Sequence, residues 1–454
     1  MAVSFNVSSS RRTDNRIKIG IRVDYSPAVT AEPVNRCLAI AQQLKKQGCQ
    51  VIFISADSNI VPYVSGTGFA CHMLGSDWRE LEMEADSLIE YMEDEDIDEL
   101  IIDQVHVTPE YFAMLREAGI KLCYIDRRVK FPYDTDILIN YSPAPQLPDY
   151  KALYAGGSPD EPDDTEQSDD TDTPDDGQTD DPESPGDDDL IAVEDIPDED
   201  DLPVHTPSLS DITLLTGIEY LPMTQDYVMA ADGGYLTEKK PIPNIELPAD
   251  PDMASESVLG NMQTDAPIRK AGLEPVRDIF FTLAGADTSG MTEKFITGML
   301  KDPELHEARI HLFCGMFFRI TEKLQILIED GRVFLHHEGE TDVPKLICMC
   351  DAAVSPAEPL TFEICACGCP FVTFYFTDEQ GRRADYLKEA GAASCAGDYR
   401  DDWKKCIQET IRALHEINRM GTAGRWESSI RMKKLIDGHG AERIAEAVIR
   451  LREG

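Results

Sequence analysis

The stretch Ile17–Ser55, IKIGIRVDYSPAVTAEPVNRCLAIAQQLKKQGCQVIFIS, decides how the chain folds. IKIGIRV is a β-branched run that reads as a strand. After a loop, Val34, Cys37, Leu38, Ala41 and Leu44 recur at three- and four-residue spacing and stop at Gly48, which predicts an amphipathic helix with a glycine stop. VIFIS from Val51 is a second strand. The rhythm continues outward, with a helix over 77–93, the strand ELIID at 99–103, a helix over 109–118 ending at Gly119, and strands in KLCYID and DILIN. Strand, helix, strand in this order predicts a parallel sheet covered on both faces. A second rhythm starts at Asp278. Its strands are DIFFTL, RIHLFC, RVFLHH, DAAVS, FVTFYF and AASC, with helices from near Met291, Arg319, Asp342, Leu360, Gly381 and Asp401 and a final helical segment of about thirty residues. The fold class expected is α/β, with two doubly wound Rossmann-like domains facing a cleft, and ligands bind in such crevices at the strand C-terminal ends.

Between these halves the composition changes. Residues 158–202 hold 22 acidic side chains and no Lys or Arg, and such a segment cannot bury enough apolar surface to offset its backbone entropy. Residues 151–211 are therefore expected to be a disordered acidic insertion, able at most to contact a basic partner. The expected domains are 17–150, a first lobe; 212–277, a crossing segment and long linker; and 278–454, a second lobe. Over the 454 residues, 85 Asp and Glu face 42 Lys and Arg, for a net charge of -43. That balance excludes most nucleic-acid-binding readings, because a polyanion would be repelled. No stretch reaches the roughly 18–20 apolar residues that cross a bilayer, and the first twenty residues lack the apolar run of a signal peptide. The expectation is a cytoplasmic protein with no transmembrane segment, whose twelve cysteines are thiols.

In a doubly wound fold the chemistry belongs to the loops after the strands. The first, RVDYSPAVTAEPVNRC, resembles the opening of the UDP-2,4-diacetamido-2,4,6-trideoxy-β-L-altropyranose hydrolases of pseudaminic acid synthesis and their spore-coat polysaccharide relatives, where it reads like R-A-D-x-S-x-x-x-G-x-G-H-x-x-R-C. Arg22, Asp24, Ser26, Arg36 and Cys37 match. IIDQ, IKLCYID and DILIN with Asn140 follow that family's first domain, and TGIEYLPM at 216–223 is similar to its crossing strand and turn. In the second half, FTLAGADTSGMT resembles a glycine-rich loop, keeping Gly285 and Asp287. CDAAVSPAEPLTFEICACGCPFVTFYFTDEQ is similar to the nucleotide loop, with Thr361, Glu363 and Gln380 in place. The resemblance covers roughly 17–150, 212–226 and 278–400. It implies a GT-B-like glycosyltransferase architecture with UDP on the second lobe, Thr361 near the diphosphate, Glu363 on the ribose hydroxyls, the sugar against the first lobe, and no cofactor.

The departures fall on the chemistry. The family's loop histidine aligns with Pro33, which has neither a proton acceptor nor a backbone N–H. Its two preceding glycines become Thr30 and Glu32, and the nucleotide loop's glycine pair becomes Ala357 and Glu358, followed by Pro359. A carboxylate there repels a diphosphate. Candidates for a replacement base are His106, just after IIDQV, and Asp24; the plainer readings are a surface histidine and, for Thr361 and Glu363, ordinary first-turn helix residues. Cys348, Cys350, Cys365, Cys367 and Cys369 read as buried thiols rather than metal ligands, since C-x-C on a helix points to opposite sides. Asp134, Thr135 and Asp136 read as a strand-entry turn rather than a metal-holding D-x-D. Two functions follow as alternatives: a UDP-sugar hydrolase or glycosyltransferase-like enzyme of surface glycan synthesis, and a non-catalytic pseudoenzyme that keeps the frame as a binding or scaffold protein.

Overall fold

The computed structural model of the chain describes residues 17–25, 32–143, 150–154, 207–234, 275–283, 290–315, 318–337 and 341–452. The acidic tract and the sequence from 235 to 274 lie outside the described residues.

The first rhythm forms a seven-stranded sheet. Its strands are β1 (Lys18–Val23), β2 (Gln50–Ser55), β3 (Ala70–Met73), β4 (Glu99–Asp103), β5 (Lys121–Ile125), β6 (Ile137–Asn140) and β7 (Thr213–Thr216), in the order β3-β2-β1-β4-β5-β6-β7. Every pairing is parallel, with Ile21 beside Phe53 and Ile101. The helices are α1 (Glu32–Lys46), α2 (Val61–Val64), α3 (Leu81–Asp94), α4 (Pro109–Glu117) and α5 (Tyr150–Tyr154). Alternation along β1 sends Ile19, Ile21 and Val23 into a core with Val34, Cys37, Leu38, Ala41 and Leu44 of α1, the stripe that the sequence spacing marks. The other face packs Leu100, Ile102, Leu122 and Tyr124 against Leu81, Leu88, Tyr111, Phe112 and Leu115 of α3 and α4.

The second rhythm forms a six-stranded parallel sheet in the order β10-β9-β8-β11-β12-β13. These strands are β8 (Asp278–Thr282), β9 (Arg309–Cys314), β10 (Val333–His337), β11 (Ala352–Pro356), β12 (Phe371–Tyr375) and β13 (Ala393–Asp398). The remaining helices are α6 (Gln225–Ala231), α7 (Met291–Lys301), α8 (Glu322–Glu329), α9 (Val343–Met349), α10 (Leu360–Cys367), α11 (Asp378–Glu389), α12 (Trp403–Arg419), α13 (Gly421–Leu435) and α14 (Gly440–Arg450). Side-chain caps set several starts: Thr321, Asp342, Thr377 and Asp402 each accept from a backbone N–H of the first turn. At the end of α10, Gly368 takes a left-handed φ of 70° where α13 passes so closely that a side chain would strike Ser429.

Two expectations change. TGIEYLPM is not a crossing strand. The strand precedes it as β7, residues 218–220 form a single 3₁₀ turn, and only Pro222 makes a bridge, to His439. The final helical segment is two helices, broken at Asp437–His439. α13 stays with the second sheet, whereas α14 packs on α1 and buries Ala441, Ile444, Ala445 and Val448 in the first sheet's core. α6, which lies within the stretch read as linker, packs Tyr227 and Ala230 on the second sheet's core with α10. The first lobe is therefore completed by α14, from the last part of the chain, and the second by α6, from the segment before its first strand. Periodicity finds a helix's apolar face but not the surface it will cover.

Candidate functional site

In both sheets strand order reverses beside the first strand of the lobe, and a crevice opens at the strand C-terminal ends there. In the first lobe this point lies between β1 and β4. Arg22, near the end of β1, is fully buried and forks onto Glu84 of α3, with Nε 2.6 Å and Nη2 2.9 Å from its two oxygens, while Nη1 donates to Asp24 at 2.7 Å. Asp24 accepts further bonds from Ser55 Oγ (2.6 Å), the Ala56 N–H (2.7 Å) and Gln104 Nε2 (2.7 Å). Four donors saturate the four lone-pair sites of a carboxylate. Asp24 is thus a buried anchor that stitches β1, β2 and the loop after β4, and this arrangement leaves it no site from which to accept a proton from water. Glu84 was missed in the sequence, although an acid on the apolar stripe Leu81, Ala85, Leu88, Met92 is the mark of a buried ion pair.

Arg36 behaves similarly. Its guanidinium meets both oxygens of Asp103, at 2.5 Å and 2.9 Å, and reaches Glu32 at 3.1 Å. Cys37 donates weakly to Asp103 at 3.6 Å. Asn140 is buried, donating to Tyr150 Oη and accepting from the Ser142 N–H. Pro33 is buried in the first turn of α1. Arg22, Asp24, Arg36 and Asn140, all expected at a sugar site, therefore hold strand ends and loops together. Ser26, Gly285 and Asp287 lie outside the described residues.

His106 occupies the loop after β4, half-buried, its ring edge-on to Trp78 at 5.2 Å. Burial, with Arg128, Lys130 and Arg79 nearby, lowers its proton affinity below the usual imidazole range, and Asp77 opposes them only in part. The ring is neutral at pH 7 and able to accept a proton.

In the second lobe the crevice between β8 and β11 is edged by Ala357 and Glu358. Glu358 Oε1 accepts from Gln380 Nε2 at 2.5 Å, and Gln380 Oε1 accepts from the Phe376 N–H, which ties the loops after β11 and β12. Arg383 donates to the Ala357 carbonyl at 2.6 Å. Thr361 is buried and donates its hydroxyl proton to the Glu358 carbonyl at 2.6 Å, leaving Oγ1 an acceptor rather than a donor toward a ligand. Glu363, one turn into α10, is hydrogen-bonded by Tyr227 of α6. Burial pushes its carboxyl up to about 7 against that bond, and the charge of Glu32, on the first lobe, adds to the rise. Burial likewise raises Glu358, and Glu32 acts on it too, while Arg383 and Gln380 pull it down. The charge of Glu32, at the start of α1, thus reaches both Glu358 and Glu363 on the other lobe. Tyr227 could not be found from sequence, because α6 is separated from α10 by more than a hundred residues.

The cysteines of α9 and α10 sit in the second core, Cys350, Cys365, Cys367 and Cys369 buried and Cys348 partly so. Among the described residues no three His, Cys, Asp or Glu side chains are grouped to hold a metal ion. In the Asp134–Asp136 turn, both carboxylates pair with Arg116, at 3.2 Å and 2.8 Å, and Asp136 also takes the Leu122 N–H. No described helix is long and apolar enough to cross a membrane.

No family model matches the chain, and no curated protein matches it. Solved structures do. MurG of Acinetobacter baumannii is similar over 96% of this chain and 99% of its own, with a TM-score of 0.51 at 12% identity. A putative UDP-N-acetylglucosamine 2-epimerase from Listeria monocytogenes covers 96% and 97%, with a TM-score of 0.51 at 12% identity. A glycosyltransferase from Rickettsia africae ESF-5 covers 96% and 99%, at 0.50 and 9% identity. At such identities the likeness establishes the fold. This chain has the two-lobed GT-B architecture.

Proposed function

We propose that the chain binds a UDP-linked sugar in the gap between its lobes, with the nucleotide on the second lobe and the sugar toward the first, as in the hydrolases of the pseudaminic acid pathway that its loops resemble. The observation that carries this reading is that the charge of Glu32, at the start of α1 on the first lobe, acts on both Glu358 and Glu363 of the second. The GT-B neighbours, among them a putative UDP-N-acetylglucosamine 2-epimerase, support it. Glu363 would accept from the ribose hydroxyls. With Asp24 saturated, His106 is the base that would take a proton from water or an acceptor hydroxyl as it attacks the anomeric carbon.

Thermal shift with UDP tests the binding. A ligand that binds only the folded state stabilises it by roughly 2.7 kcal/mol at a hundredfold excess over Kd, so UDP should raise Tm in the wild type and not in Glu363→Ala. No shift at millimolar UDP overturns the reading. UDP release from acetamido-sugar nucleotides should be lost in His106→Ala; turnover that survives removes His106 from the mechanism.

A second reading, a binding or scaffold protein without turnover, is favoured by the buried Pro33 where the family's histidine stands and by the full saturation of Asp24. It predicts the UDP shift with no UDP release from any sugar nucleotide.

A further inference from the structure

At the strand ends of the first lobe lies a basic patch that runs against the charge of the whole chain. The loop after β5, residues 126–133, carries Arg127, Arg128 and Lys130, all exposed. Its backbone is fastened from beneath. Asp126 Oδ1 accepts the N–H groups of Arg128 (2.9 Å) and Val129 (3.1 Å) and the hydroxyl of Tyr133 (3.0 Å), Oδ2 accepts from Tyr150 (2.5 Å), and Tyr133 Oη accepts the Lys130 N–H (2.9 Å). Within this clamp Val129 is held at φ 49°, a left-handed conformation that is an outlier for a β-branched residue. Such strain persists only where the surroundings over-determine it, and it gathers at ligand sites.

Two neighbouring loops complete the surface. From the loop after β3, Trp78 makes a T-shaped contact with His106 and presents its face to Arg79, whose guanidinium carbon lies 4.4 Å from the ring centroid. Arg79, Arg128 and Lys130 all act on His106. Arg127 lies 3.9 Å from Asp103. Asp77 lies 3.9 Å from Arg79. Fixed cations beside an aromatic face and a neutral imidazole suit a sugar ring that carries an anion: the ring lies on the indole and the anion meets the guanidinium and ammonium groups.

We propose that the surface formed by Trp78, Arg79, His106, Arg128 and Lys130 binds a negatively charged sugar through its carboxylate or phosphate group. The inference rests on the UDP-sugar reading for its place in the reaction and departs from it in one respect: the sugar group handled on the first lobe carries an anion, unlike the uncharged acetamido sugar of the hydrolases that the loops resemble. None of the residues that would hold UDP belongs to the patch.

Titration calorimetry on the full chain tests it with three probes, glucuronate, glucose 6-phosphate and glucose, each with and without UDP. At least one charged probe should bind, and the stronger of the two identifies the anion as carboxylate or phosphate. Glucose should give no heat. The double variant Arg128→Ala/Lys130→Ala should weaken the charged probe about tenfold or more, since a charge-assisted hydrogen bond is worth roughly 1.5–3 kcal/mol. Lys323→Ala, on the second lobe, should leave it unchanged. Both patch side chains are exposed, so circular dichroism of the double variant should match the wild type. Equal affinity in the double variant, equal binding of glucose, or no binding of either anion overturns the proposal. The UDP thermal shift should persist in the double variant. A wild type that binds the charged sugar but gives no UDP shift would overturn the nucleotide reading and leave this one standing.

Discussion

The strand-end loops of the two lobes handle charge in opposite ways. In the first lobe Arg22, Asp24 and Glu84, and again Arg36 and Asp103, are buried with ionic partners at close distance. In the second, the carboxyls of Glu358 and Glu363 rest on neutral partners, Gln380 and Tyr227, and burial raises both. An ion pair that saturates itself is architecture. Glu363, held by a hydroxyl, keeps its proton equilibrium within reach of pH 7. The first-lobe residues Arg22, Asp24 and Arg36, which match the resembled loop, are therefore tied up in ion pairs, whereas Glu363 on the second lobe is not.

The sharpest way to break this contrast is to remove one buried cation. Arg22→Ala leaves Glu84 and Asp24 with uncompensated buried charge, and chemical denaturation should show a loss of about 3–5 kcal/mol. A loss below about 1 kcal/mol would mean that the first lobe's ion pairs are not anchors. A smaller effect is expected from pH. Glu363 has a folded pKa near 7, above its usual value of 4.5, so its contribution is fully present below about 4.5 and is lost as pH rises through 7. Denaturation at pH 5 and pH 8 should differ by on the order of 2 kcal/mol through this group, and Glu363→Gln, which fixes the neutral form, should remove that share, leaving the part due to Glu99, whose carboxyl burial also pushes up to about 7. An undiminished slope in Glu363→Gln would place the titrating group elsewhere. Least of all should follow from Arg116→Ala. Its pairs with Asp134 and Asp136 are part-exposed, and such pairs contribute about 0–1 kcal/mol; a larger loss would mark the turn as more than a strand entry.

Most of the sheet architecture was legible because β-branched runs and three-to-four spacing are local signals. The stripe from Val34 to Leu44 is buried as its periodicity predicts, and the expected strands of the second half all form, with ends displaced by a residue or a few. The site was legible only in outline. Residue type placed Arg22, Asp24 and Arg36 at strand ends but could not say whether they face a ligand or each other. That depends on Glu84 and Asp103, which lie 62 and 67 residues from their arginine partners. Thr361 turned inward for a local reason: a first-turn hydroxyl finds the carbonyl three residues back before it finds a ligand. The positions of α6 and α14 were not legible, because an amphipathic helix of either composition fits either lobe.

The placement of α14 has a consequence for the order of events during synthesis. The first sheet is translated early, yet four of its core side chains, Ala441, Ile444, Ala445 and Val448, arrive at the end of the chain. At roughly 5–20 residues per second, the roughly 220 residues between β7, the sheet's last strand, and α14 take on the order of 11–45 s to emerge. Until then α1 exposes the apolar face that α14 will cover, and the early lobe waits on the ribosome, unfinished, for its last piece.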